Sequence, residues 1–183
     1  MGNESKDAVQ YGIGGVYGWP VGGVLGGVIG TGAFGLLVWF VNPEIIQATI
    51  PGLYGFEPGS ETGWVIHLVH GAILGLIFAS IVTRDLVLGT LLASVETEAL
   101  SELSDTIRFV GAGFAYGILV WTILPVFAAP AQLGLISQSA IEEFPALAAE
   151  AMIGHVLFGM LLGAVFAVSV DVSARSVDDT LKN

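Results

Sequence analysis

The chain has 183 residues, of which 54% are hydrophobic and only 11% charged, and its formal net charge is −11. So few charges cannot solvate the surface of an ordinary globular domain, which excludes that class and points to a lipid bilayer as the solvent. The carboxylate excess disfavours nucleic acid and anionic lipid headgroups as partners, and the absence of cysteine excludes disulfides, thiolate metal sites and cysteine nucleophiles.

Residues 1–10 are polar and expected to lack fixed structure, and no secretory leader is expected there, because one Lys among acids precedes no ordinary apolar core. Glycine then dominates. Gly14, Gly18, Gly22, Gly26 and Gly30 recur every four residues, with Gly15, Gly23 and Gly27 on the neighbouring stripe. In lipid such a stripe lets two helix backbones approach and gain dispersion contacts, so the first helix is predicted to carry a flat face, starting near Trp19-Pro20. A bilayer span needs about 20 predominantly apolar residues. Four segments qualify, near residues 21–41, 64–83, 107–128 and 150–170. The fold class predicted is all-α, a polytopic membrane four-helix bundle in one domain covering residues 1–183.

Between the spans, residues 42–63 read as turns with one short helix, and Trp64 anchors the start of the second span. Residues 86–105 place Leu88, Leu91, Leu92, Val95, Ala99 and Leu103 near one side, with Glu96, Glu98, Glu102 and Asp105 largely elsewhere. That pattern predicts an amphipathic linker helix on the membrane surface or against a partner. The third span is expected from Ile107 to Phe127, with Pro125 near its outer end, and a short helix is expected around Ser137–Phe144. Lys6, Arg84, Arg108, Arg175 and Lys182 all fall on one side of a four-span chain, which places both termini and the middle loop in the cytoplasm of a multi-pass cell-membrane protein. Acidic residues on both sides match proteins that work in concentrated salt.

The chain also repeats itself. His67, Gly71, Gly75, Phe78 and Ala79 return 88 positions later as His155, Gly159, Gly163, Phe166 and Ala167, and Gly35, Val38, Trp39 and Pro43 are echoed by Gly117, Val120, Trp121 and Pro125. Two tandem hairpins are predicted, repeat 1 over about 21–83 and repeat 2 over about 107–170, related by a pseudo-twofold axis along the membrane normal. Each histidine tops a ridge of small residues at four-residue spacing, about 5 to 8 Å below the outer helix ends at about 1.5 Å rise per residue. His70 lies one turn deeper than His67, and its counterpart is Phe158.

Several readings of the histidines stand side by side. They cap loops or bond a carbonyl across the bundle. Alternatively His67, His70 and His155 ligate a haem or metal ion, with Glu61 or Glu150 completing a zinc site. A third reading makes them the titrating groups of a small proton or ion transporter or channel. Trp39 and Trp121 are read as belt and packing residues, against a quinone or pigment site. The glycines at 12–15 do not follow a strand and no Walker lysine follows them, so a phosphate loop is excluded, and no Ser/His/acid spacing argues for a triad.

The Gly-x-x-x-Trp-x-x-x-Pro helix followed by His-x-x-x-Gly-x-x-x-Gly, carried by Gly35, Trp39, Pro43, His67, Gly71 and Gly75 and again by Gly117, Trp121, Pro125, His155, Gly159 and Gly163, resembles small four-span membrane protein families of unassigned function. The resemblance covers about residues 21–170 and implies the architecture without an activity. The expectation is a non-enzymatic membrane component, an accessory or structural subunit packing through Gly14, Gly18, Gly22, Gly26, Gly30, Gly71, Gly75, Gly159 and Gly163. Its partners are the lipid bilayer and copies of itself or a larger membrane complex.

Overall fold

The computed structural model describes residues 18–92, 105–132 and 147–170. Among these the long elements are α1 (Gly18–Val41), α2 (Ser60–Val82), α3 (Asp85–Leu92), α4 (Asp105–Gln132) and α5 (Leu147–Ser169). A π-helical turn, Ile45–Thr49, runs into one α-helical turn, Ile50–Gly52, between α1 and α2. No strand occurs among the described residues. Helices α1 and α2, the Thr106–Ile123 part of α4 and the Ala151–Ser169 part of α5 are long and apolar enough to cross a membrane, so the chain is a multi-pass membrane protein built as a helical bundle. Gly14, the expected linker helix beyond residue 92, the expected helix at 137–144 and the basic residues Lys6, Arg175 and Lys182 lie outside the described residues.

Local sequence accounts for most of the element ends. Trp19 and Pro20 fall in the first turn of α1, where proline has no intrahelical hydrogen bond to lose. Helix α2 starts at Ser60, earlier than expected, because Gly59 is extended (φ −174°, ψ 126°) and Glu61 supplies an acid to the first turn. Trp64 is therefore one turn inside the helix and not at its start. Helix α4 runs on to Gln132, past Phe127 and through Pro125 and Pro130; each proline deletes one backbone donor, which a helix tolerates at a modest local cost in packing or kinking.

The bundle runs up-down-up-down, and side-chain size rather than polarity separates its inside from its outside. On α1, Val21, Leu25, Ile29, Leu36 and Phe40 are exposed, while Gly18, Gly22, Gly23, Gly26, Gly27 and Gly30 are buried. The two glycine stripes face different neighbours. A Cβ on Gly23 or Gly27 would strike the backbone of Gly75 or Gly71 on α2, whereas one on Gly22, Gly26 or Gly30 would press on Val170, Leu162 or Phe158 of α5 and its flank. The α4–α5 pair closes in the same manner, with Gly113 against Gly159 and Gly117 against the His155 carbonyl. Buried Phe78, Phe109, Phe158, Leu162, Phe166 and Tyr116 fill the remaining interior.

These contacts depart from a twofold arrangement. Gly71 meets the carbonyl of Gly27 and Gly159 that of Gly113, while Gly75 meets Gly23 and Gly163 meets Phe109. Equivalent contact positions on α1 and α4 are therefore 86 apart, one helical turn out of step with the echo of Gly35 in Gly117, which are 82 apart. At the positions matching Gly22, Gly26 and Gly30, α4 carries Arg108, Ala112 and Tyr116. Helix α1 consequently packs on both α2 and α5, but α2 and α4 make no comparable helix-on-helix contact. Side chains bridge them instead: the Tyr116 hydroxyl donates to the Leu74 carbonyl at 2.8 Å, and the Phe78 and Tyr116 rings lie 5.3 Å apart.

At the end of the bundle opposite the α1–α2 connection, Leu88 of α3 is buried and Leu91 packs on the core of the chain itself. Arg108 donates from Nη1 to the Leu91 carbonyl at 3.0 Å, placing a cation at the end of α3, where the helix dipole favours it.

Candidate functional site

His67 of α2 and His155 of α5 lie at one level of the bundle because Phe34 of α1 stands edge-on to both, at ring-centroid distances of 5.4 and 4.8 Å. Both histidines are 8% exposed. Two glycines make the arrangement possible. A Cβ on Gly154 would overlap the Phe34 ring, and one on Gly35 would strike both Trp64 and His67. Trp64 roofs His67 at 6.3 Å and itself lies 6.0 Å from Trp39, so the tryptophans serve here as packing residues.

The three imidazoles do different things. His155 Nδ1 donates to the Ala151 carbonyl, one turn back on its own helix, at 2.6 Å. His70 shares a short hydrogen bond through Nε2 with the Tyr54 hydroxyl, which the α1–α2 connection lays against α2. His67 Nε2 is buried and has no hydrogen-bond partner. Burying a polar nitrogen without a partner costs roughly 1 to 3 kcal/mol by mutational measures, and more where hydrocarbon replaces water outside.

A shared metal or haem iron would need both ring nitrogens about 2 Å from one point. Phe34 contacts both His67 and His155, and His155 Nδ1 is already committed to the Ala151 carbonyl. His70 is turned to Tyr54, Glu61 is exposed in the first turn of α2, and no group of three or more His, Asp or Glu converges among the described residues. The side chain of Glu150 lies outside the description.

Phe34, Tyr54, Gly154 and Tyr116 were not singled out by the sequence. Phe34 is one of ten phenylalanines, mostly within apolar runs, and carries no distinguishing spacing. Gly154 immediately precedes His155, and that adjacency was the one available signal.

Comparison with protein-family models, with curated proteins and with solved structures returns no match.

Proposed function

We propose that the chain is a non-enzymatic multi-pass membrane protein that serves as a structural or accessory subunit of a larger membrane assembly. In this reading it is built from two tandem hairpins with both termini and the α2–α4 connection in the cytoplasm. One observation carries the proposal: among the described residues the polar groups inside the spans, His67 Nε2 excepted, are used as local ties. Tyr116 holds Leu74, His155 holds Ala151, His70 holds Tyr54, and the Thr31 hydroxyl holds the Gly27 carbonyl at 2.7 Å. Groups disposed in this way brace helices, and they do not surround a reacting atom. The glycine stripes provide internal cohesion between the chain's own helices, so a partner meets the bulky outer faces. The resemblance to small four-span families of unassigned function supports the same architecture.

Cross-linking in native membranes followed by mass measurement tests the reading. A defined species larger than one chain, retained in mild detergent, is the expected result. A protein that stays monomeric at native abundance sinks it.

A further inference from the structure

The unpartnered nitrogen of His67 lies seven residues into α2, about 10 Å along the helix axis from Ser60. Its surroundings are closely defined. Phe34 and Trp64 make T-shaped contacts with its ring, and Gly35 passes so near that even a methyl group there would touch both Trp64 and the imidazole. The polar neighbours of His67 are His70, His155 and Thr31 of α1, the last 3% exposed. The Thr31 carbonyl lies beside the imidazole, and its hydroxyl lies against Gly71, one turn below His67. That hydroxyl donates to Gly27 and Val28, which leaves its lone pairs free to accept.

The loop above covers this place. Ile46 of the π-helical turn is completely buried, with its carbonyl against Gly63, one turn outward of His67. Gly59 N–H donates to the Gln47 carbonyl at 2.8 Å and Pro51 is buried, so the segment folds back along α2. Tyr54 fastens its far end to His70. Single π-turns of this kind are rare and concentrate at functional places.

We propose that His67 Nε2 binds one water molecule shared with Thr31, and that residues 45–54 form a lid over it whose clasp is the Tyr54–His70 hydrogen bond. This site is independent of the subunit role argued above. Water is the ligand class that fits. The apolar rings of Phe34 and Trp64 offer no counter-charge for an ion, and a water needs only about 10 to 15 Å³ and two or more polar partners. It removes the desolvation penalty of the orphan nitrogen and links α1 to α2 where Gly71 has no side chain with which to do so.

The test uses the full chain in lipid bilayers with ¹⁵N-labelled histidine and water-edited solid-state NMR. His67→Phe assigns the His67 resonance by its loss. Magnetisation from water is expected to reach His67 Nε2, and in Tyr54→Phe the site is expected to exchange with bulk water about fivefold faster, the factor corresponding to loss of one ordinary hydrogen bond. Absence of transfer to Nε2, together with a His67→Phe protein more stable than the parent, overturns the water site. Transfer with an unchanged exchange rate in Tyr54→Phe overturns the lid.

Discussion

Phe34 is the residue on which the histidine-bearing end of the bundle turns. It touches both buried histidines and fits only because residue 154 lacks a side chain. Phe34→Ala is therefore expected to cost about 3 to 5 kcal/mol, the range for emptying a buried phenylalanine site, measured as a lowered midpoint of denaturant unfolding in detergent micelles. A loss no larger than that of the exposed Phe40→Ala would contradict the role given to it. The face that each histidine shares with its glycines was legible in the sequence, but the distance from the helix end was not. Because α2 starts at Ser60, His67 lies about 10 Å along it, deeper than the roughly 5 to 8 Å expected from a start near Trp64. What each nitrogen bonds was not legible. His70 depends on Tyr54, which sits in a loop without periodicity, and His67 depends on where Phe34 and Trp64 leave room.

At the level of the helices, glycine decides which backbones meet. Gly27 and Gly71 face each other with no space for a Cβ, whereas a Cβ on Gly111 would meet nothing within 4 Å. Gly27→Ala should therefore destabilise the protein by about 1 to 3 kcal/mol through overpacking. Gly111→Ala should be neutral or stabilising by up to about 1 kcal/mol through helix propensity. Paired unfolding titrations check both, and equal effects would refute the assignment of inner and outer glycines. The four-residue spacing on α1 made a packing face visible in advance. It did not say that the two stripes serve two different helices, since spacing defines a face and leaves its neighbour open. The register of the second pair was hidden as well: the Trp-x-x-x-Pro echo aligns Gly35 with Gly117, but contact with α2 and α5 aligns Gly27 with Gly113.

For the whole molecule, composition was the most informative signal, because four apolar runs with nearly all the charges between them or at their ends leave little freedom in placing the spans. The proposed orientation rests on five basic residues and is open to a direct check in a chain without cysteine. Glu57→Cys, in the exposed outer loop, should react with a membrane-impermeant maleimide added to intact cells, and Glu98→Cys should react only after lysis; the reverse pattern would invert the topology. The arrangement of helices also dictates an order of assembly. The hairpins α1–α2 and α4–α5 close between neighbours in the chain, but α1 meets α5 through Gly22 and Val170, which are 148 positions apart. The first span made thus waits for the last. Gly22, Gly26 and Gly30 are covered by α5 and its flank, so a chain cut short before residue 147 would lack that cover on their backbone face, a mark by which an unfinished copy differs from a finished one.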